Sequence, residues 1–345
     1  MPPVGQPEAQ VGAATGVAVD TRYSLPIMRL LPRSALLRFA LAALAAIGLA
    51  TGCTSLEEKE REWTFRVVKS DAGWYSGTPS AVQEVFIPVS DKPGAQKVNA
   101  WWWPDADPNA PVVYYLHGVR WNLTGHLRRM EQLRRFGFSV FAIDYRGFGK
   151  SDGDLPSESM TYEDAAAGWA WLAQKVPDPG KRFIYGHSLG GAVAIDLAAS
   201  LKAQPAAGLI IESTFTSLAD MAAALSSRWL PFNLVLSQKF DSLTKMTKVS
   251  APVLIVHGEG DRYVPHRFSQ ALYEAAKAPK KLLLVPGASH NNSMFAGEDE
   301  YRQALSELFG LQRSDDPVAE PAAHARPSKS HRKLSSDVRP TAAKG

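Results

Sequence analysis

The chain has 345 residues, 45% hydrophobic and 21% charged, a balance that fits a globular protein and excludes a largely disordered one. Its single cysteine excludes an intramolecular disulfide framework and a cysteine-rich metal site. The net charge of +4 belongs to the ends (four arginines against two acids in 1–52, seven Lys/Arg against four Asp/Glu in 313–345), so the remainder is close to neutral and no nucleic-acid partner is expected.

The first expected element is an export leader over 1–52. Arg29, Arg33 and Arg38 precede an apolar and small-residue run that ends at Ala50-Thr51-Gly52-Cys53. Charged start, short apolar stretch and small residues at the cut are the layout of a secretory signal. A spanning helix needs about 20 apolar residues, and Arg38 and the polar segment after Cys53 leave only 39–52 for one. The small residues before Cys53 resemble a bacterial lipobox, although Ala50 stands where Leu is commoner. The resemblance implies acylation of Cys53 and attachment to the cell envelope, at the outer membrane or the periplasmic side. The alternative is an ordinary cleaved signal with an incidental cysteine. Met28 would open a more usual leader than Met1, which leaves 1–27 as an extension or an over-extended start. Residues 53–80, charged over 57–63, are expected to be a membrane-proximal spacer.

An antiparallel hairpin is expected over 81–90 and 97–104, around Asp91-Lys92-Pro93-Gly94. Short apolar runs follow at 111–116, 138–145, 182–186, 208–211, 252–257 and 281–286, each ending in a turn. Runs of this kind suit parallel strands buried on both faces. Helical patterns separate them. Leu127, Met130 and Leu133 share one face before Gly137. Thr161 with Asp164 suggests a capped start for a helix over 162–176. Others are expected over 192–201, 218–225, 268–276 and 301–308. Residues 212–250, with Trp229, Leu230, Phe232 and Phe240, suggest a small helical cap, and 313–345 reads as a disordered tail. The result is an α/β domain over 81–312, with an eight-stranded, mostly parallel sheet and helices on both faces.

The chemistry lies at strand ends. Gly186-His187-Ser188-Leu189-Gly190 joins a strand directly to a helix, the setting in which Gly-x-Ser-x-Gly presents a nucleophilic serine. A serine hydroxyl needs a base, and the base needs a carboxylate to orient it. The expected chain order is serine, acid, histidine. His290 follows the last strand and is the expected base, whereas His257 reads as structural and His266 as exposed. Asp261 is the expected acid, ahead of Glu259 and Glu212. The oxyanion that forms on attack needs backbone donors. These are expected at the N–H of Leu189 and the N–H of Val119, in the loop His117-Gly118-Val119.

Residues 81–311 resemble the α/β-hydrolase superfamily on His117-Gly118, Asp144-Tyr145-Arg146-Gly147-Phe148-Gly149-Lys150-Ser151, the Ser188 motif, Asp261 and His290, all in the family order. Glu212-Ser213-Thr214-Phe215-Thr216-Ser217 and His290-Asn291 resemble a bacterial lipoprotein branch, itself similar to eukaryotic membrane-associated acyl-protein and lysophospholipid hydrolases. The resemblance implies a Ser-His-Asp esterase, lipase or thioesterase with no cofactor, acting on a small-molecule or lipid-like acyl substrate. Several members of that branch are serine-aminopeptidase-like, so a peptidase on the same residues stays open. Ser188 argues against the dehalogenase and epoxide-hydrolase pattern, which carries Asp there. A non-catalytic binding module is the third reading, and the full set of nucleophile, base and acid candidates weighs against it.

Overall fold

Val, Ile, Tyr and Phe crowd the runs expected as strands. The computed structural model, which describes residues 56–226 and 232–311, lays them into one eight-stranded sheet. The strands are β1 (Gln83–Pro88), β2 (Lys97–Trp103), β3 (Val112–Leu116), β4 (Ser139–Ile143), β5 (Arg182–His187), β6 (Gly208–Glu212), β7 (Val253–Gly258) and β8 (Lys280–Val285), in the order β1-β2-β4-β3-β5-β6-β7-β8. β1 and β2 form the expected antiparallel hairpin, and β2 also pairs antiparallel with β4. From β4 to β8 every pairing is parallel.

Both faces of this sheet are covered, which is why its central strands have no polar side. Along β3, Val112, Tyr114 and Leu116 enter one apolar cluster while Val113 and Tyr115 enter the other. The first cluster takes residues from α3 (Glu158–Lys175), α4 (Leu189–Ser200) and α8 (Arg267–Ala275). The second takes Leu123, Met130 and Leu133 from α2 (Leu123–Arg135), Met294 from α9 (Ser293–Ala296), and Tyr301, Ala304 and Leu305 from α10 (Glu298–Phe309). The α2 residues Met130 and Leu133 are on the face the spacing predicts.

Several boundaries differ from expectation for local reasons. α3 begins at Glu158 because Ser157, not Thr161, is its cap: the Ser157 hydroxyl accepts from the Met160 N–H. Thr161 lies inside the helix and donates back to the Glu158 carbonyl at 2.7 Å. The stretch expected as a spacer is folded onto the domain over its described part. Residues 56–65 form a helix, α1, whose Phe65 is fully buried and meets Phe240 edge-on at 6.1 Å. Beyond it, Asn122 donates to the Ser70 carbonyl and the Ala72 N–H donates to Thr124 Oγ1.

Among its described residues, the segment expected as a cap contains three short helices: α5 (Leu218–Leu225), α6 (Phe232–Val235) and α7 (Ser242–Met246). Its far end is core, since Phe240, Met246 and Val249 are buried, whereas Leu225, Leu234 and Val235 are exposed. The expected leader over 1–52, Cys53, the tail over 313–345, and Trp229 and Leu230 lie outside the described residues.

α10 closes at Gly310, which adopts the left-handed conformation (φ 69°) that ends helices. Truncation after Leu311 is therefore expected to leave the Tm and turnover unchanged. A drop of several degrees in a thermal melt would show that the removed tail docks on the domain.

Candidate active site

β5 is buried along its whole length and delivers Ser188 at its end. Ser188 has φ 55° and ψ −124°, and α4 starts at the next residue. Positive φ at a non-glycine residue costs about 1–3 kcal/mol and persists only where its surroundings impose it. Here they do. The Ser188 N–H donates to the Glu212 carbonyl at 2.9 Å, and the Thr214 hydroxyl donates to the Ser188 carbonyl at 2.7 Å. The close approach also explains a glycine: a Cβ on Gly190 would run into the Leu116 carbonyl of β3. The result is a tight strand–turn–helix junction at the carboxyl end of a central strand.

Asp261 and His290 come from the loops after β7 and β8. The Gly260 N–H donates to the Ala288 carbonyl at 2.8 Å, tying the two loops together, and a Cβ on Gly258 would strike that same carbonyl. His290 Nδ1 lies 2.7 Å from Asp261 Oδ2, whose side chain is fully buried. Asp261 Oδ1 accepts from the Tyr263 N–H (2.8 Å) and the Val264 N–H (2.9 Å), which fixes the carboxylate plane. Burial alone would raise this carboxyl. Hydrogen bonding by His257 and His290 and the Val264 N–H outweigh it and hold the group well below the usual carboxylate range. An ionised Asp261 therefore faces the imidazole.

The loop after β3 lies against the serine: a Cβ on Gly118 would stand 3.1 Å from Ser188 Cβ. Among the described residues neither the Val119 N–H nor the Leu189 N–H has an acceptor. The Arg120 N–H donates to the Phe65 carbonyl at 3.1 Å, so the end of α1 holds this loop from outside.

Glu212 and His117 are engaged elsewhere. Glu212 is fully buried and takes Arg129 Nη1 at 2.9 Å and the Tyr185 hydroxyl at 2.7 Å, leaving it no share in His290. His266 stands at the start of α8. His117 Nδ1 lies 2.7 Å from the Gly118 carbonyl.

Three neighbours were not legible as site residues. His257, fully buried, has Nε2 3.2 Å from Asp261 Oδ2 and 2.9 Å from the Val264 carbonyl, so it stands beside the carboxylate. His187 Nε2 donates to the His290 carbonyl at 2.8 Å, with the two rings 4.8 Å apart. Burial, reinforced by the Arg129 charge, pushes His187 well below the usual histidine range, which keeps it a neutral donor. Arg129, on α2, donates to the Asn291 carbonyl at 3.0 Å. The only sequence signal for these was position: two at strand ends, one an arginine beside an apolar helix face.

A mostly parallel sheet with a strained serine just after β5, and a histidine–aspartate pair on the loops after β8 and β7, is the arrangement to be compared with known hydrolases. A family model described as serine aminopeptidase, S33, matches residues 107–245. The uncharacterized protein MT2364 of Mycobacterium tuberculosis is 32% identical over 255 residues, 73% of this chain and 87% of that protein. The lysophosphatidylserine lipase ABHD12 of Danio rerio is 34% identical over 205 residues, 54% of this chain and 53% of that one. Among solved structures, the Pyrococcus furiosus esterase Pf2001 superposes with a TM-score of 0.56 at 22% identity, covering 71% of this chain and 99% of that one, a likeness of fold. The chain belongs to the α/β-hydrolase superfamily and is a hydrolase of that fold.

Proposed function

We propose that the protein is a serine hydrolase that cleaves carboxylic ester or thioester bonds of acyl substrates, with Ser188 as nucleophile, His290 as base and Asp261 as its orienting acid. The observation that carries the reading is the 2.7 Å bond from His290 to a buried Asp261, on a loop held beside the Ser188 strand end. His290 takes the Ser188 proton as Oγ attacks the acyl carbon. The tetrahedral oxyanion is received by the Val119 and Leu189 N–H groups. His290 then returns the proton to the leaving alcohol or thiol, and an acyl-enzyme remains. Water enters by the reverse sequence and releases the acid. Asp261 stays ionised throughout and stabilises the imidazolium.

A lipid-like substrate is supported by the lipase named among the relatives and by the apolar residues of the segment over 218–240. A peptidase reading is favoured by one observation, the description of the matching family model. Profiling the purified protein against nitrophenyl esters of graded chain length, acyl-thioesters and aminoacyl-anilides separates the two. Ester or thioester turnover well above anilide turnover is expected. A higher kcat/KM on the anilides would assign the peptidase.

We further propose that the enzyme is held in the cell envelope by lipid on Cys53. The support is the sole cysteine directly after Ala50-Thr51-Gly52, at the end of an apolar run. A diacylglyceryl group plus an N-acyl chain gives firm attachment, whereas one chain binds marginally. The native protein is expected to fractionate with membranes and to incorporate labelled palmitate, and Cys53→Ser to abolish incorporation. Persisting label in Cys53→Ser would refute the anchor and leave the hydrolase reading untouched.

A further inference from the structure

Beneath the site lies a buried polar cluster that the mechanism above does not use. Arg129 is the one charged side chain of α2 turned into the second apolar cluster, 6% exposed, and it meets a fully buried Glu212 from the end of β6. Tyr185 of β5 completes the group: its hydroxyl donates to Glu212 Oε2 and accepts from Arg129 Nη1 at 3.0 Å. Tyr115 stacks on Tyr185 at 5.3 Å and seals one side. Burial alone would lower the Arg129 guanidinium, but Glu212 outweighs it and keeps the charge in place. A buried ion pair is a poor source of net stability. What this one reaches is therefore informative.

It reaches both halves of the site. On one side, the Glu212 carbonyl holds the Ser188 N–H. Ser213 follows with φ 51°, a left-handed turn that brings the Thr214 hydroxyl back onto the Ser188 carbonyl, so the serine peptide is gripped from both ends. On the other side, Arg129 Nη2 donates to the Asn291 carbonyl, one residue after His290. His187, adjacent to Ser188, donates to the His290 carbonyl itself. The Glu212-Ser213-Thr214 run singled out in the sequence thus has a physical task.

We propose that Arg129 is a positioning residue of the hydrolase: seated on Glu212, it holds the Asn291 carbonyl and so sets the His290 loop in register with the Ser188 turn. Its guanidinium fork is what the task requires, because one nitrogen serves Glu212 while the other serves Asn291. A lysine in the same place carries its three donors on one nitrogen, a point charge without the planar fork that reaches Glu212 and Asn291 from separate nitrogens. The inference rests on the assignment of Ser188 and His290 as nucleophile and base.

The test compares two variants of the full chain. Arg129→Lys keeps the charge on Glu212 and gives up the second arm. Arg129→Met/Glu212→Gln removes both charges together, which avoids the strongly destabilising orphan that a single deletion leaves. Each is measured for Tm, for the rate of labelling by a fluorophosphonate, and for kcat and KM on a nitrophenyl ester. Loss of about 10- to 100-fold in labelling rate and kcat, with KM little changed, is expected from a base loop displaced by about 1 Å. The double variant is expected to melt near the wild type yet to stay slow, which a purely structural role would not produce. Labelling at the wild-type rate by either folded variant would overturn the proposal. Ser188→Ala is run alongside: if it keeps full turnover, the assignment of the nucleophile has failed, whereas dead Ser188→Ala beside fully active Arg129 variants sinks the positioning role alone.

Discussion

Ser188→Ala is expected to lower kcat on a nitrophenyl ester by about a millionfold, the scale on which removal of a triad nucleophile acts. The fold should survive. The positive φ at position 188 is imposed by the Glu212 carbonyl, the Thr214 hydroxyl and the close contact of Gly190 with β3, none of which involves the Ser188 hydroxyl. Alanine meets the same backbone conformation with a side chain one atom smaller. The Tm should therefore stay close to that of the wild type while turnover disappears. Residual turnover from binding and the oxyanion donors alone sets the floor.

Asp261→Asn is the second large effect, about ten-thousandfold in kcat, because an amide facing Nδ1 favours the wrong imidazole tautomer and offers no charge to the imidazolium. Here a stability effect accompanies the kinetic one. The folded protein holds the Asp261 carboxyl well below its ordinary range, so the ionised group stabilises the fold above the ordinary aspartate value of about 3.9. That contribution is lost as pH falls from there through the folded value. The wild type should melt above Asp261→Asn at neutral pH, and the gap should close on acidification below about 4. A gap that widens toward low pH would contradict the electrostatic account of Asp261. Nearly normal turnover in Asp261→Asn would mean that the acid has been misassigned.

The parts of this site legible in the sequence share one property, that they sit where strands end. Ser188, Asp261 and His290 each follow an apolar run within a few residues, and the fold leaves little choice about where such positions go. The alternation of Val112, Val113, Tyr114 and Tyr115 between the two apolar clusters shows why the runs looked uniformly apolar. Contacts between distant segments were out of reach. Arg129 is next to Met130 in a helix whose apolar spacing marks only Leu127, Met130 and Leu133, and its partner Glu212 is 83 residues away. Helix α1 reads as a charged spacer because the donors to the Glu60 carboxylate, the Ser237 N–H and hydroxyl, lie 177 residues on. The start of α3 differs by one turn from the one that Thr161 suggests, because Ser157 is also a residue able to cap and it is the Ser157 hydroxyl that accepts the Met160 N–H.

Fluorophosphonate labelling followed by peptide mapping tests the central claim most directly, because it reports the activated serine without assuming a substrate. A single adduct on the Ser188 peptide is expected in the wild type, none in Ser188→Ala, and none in His290→Ala, where the hydroxyl is intact but its base is gone. An adduct on another residue, or undiminished labelling of Ser188 in His290→Ala, would contradict the account.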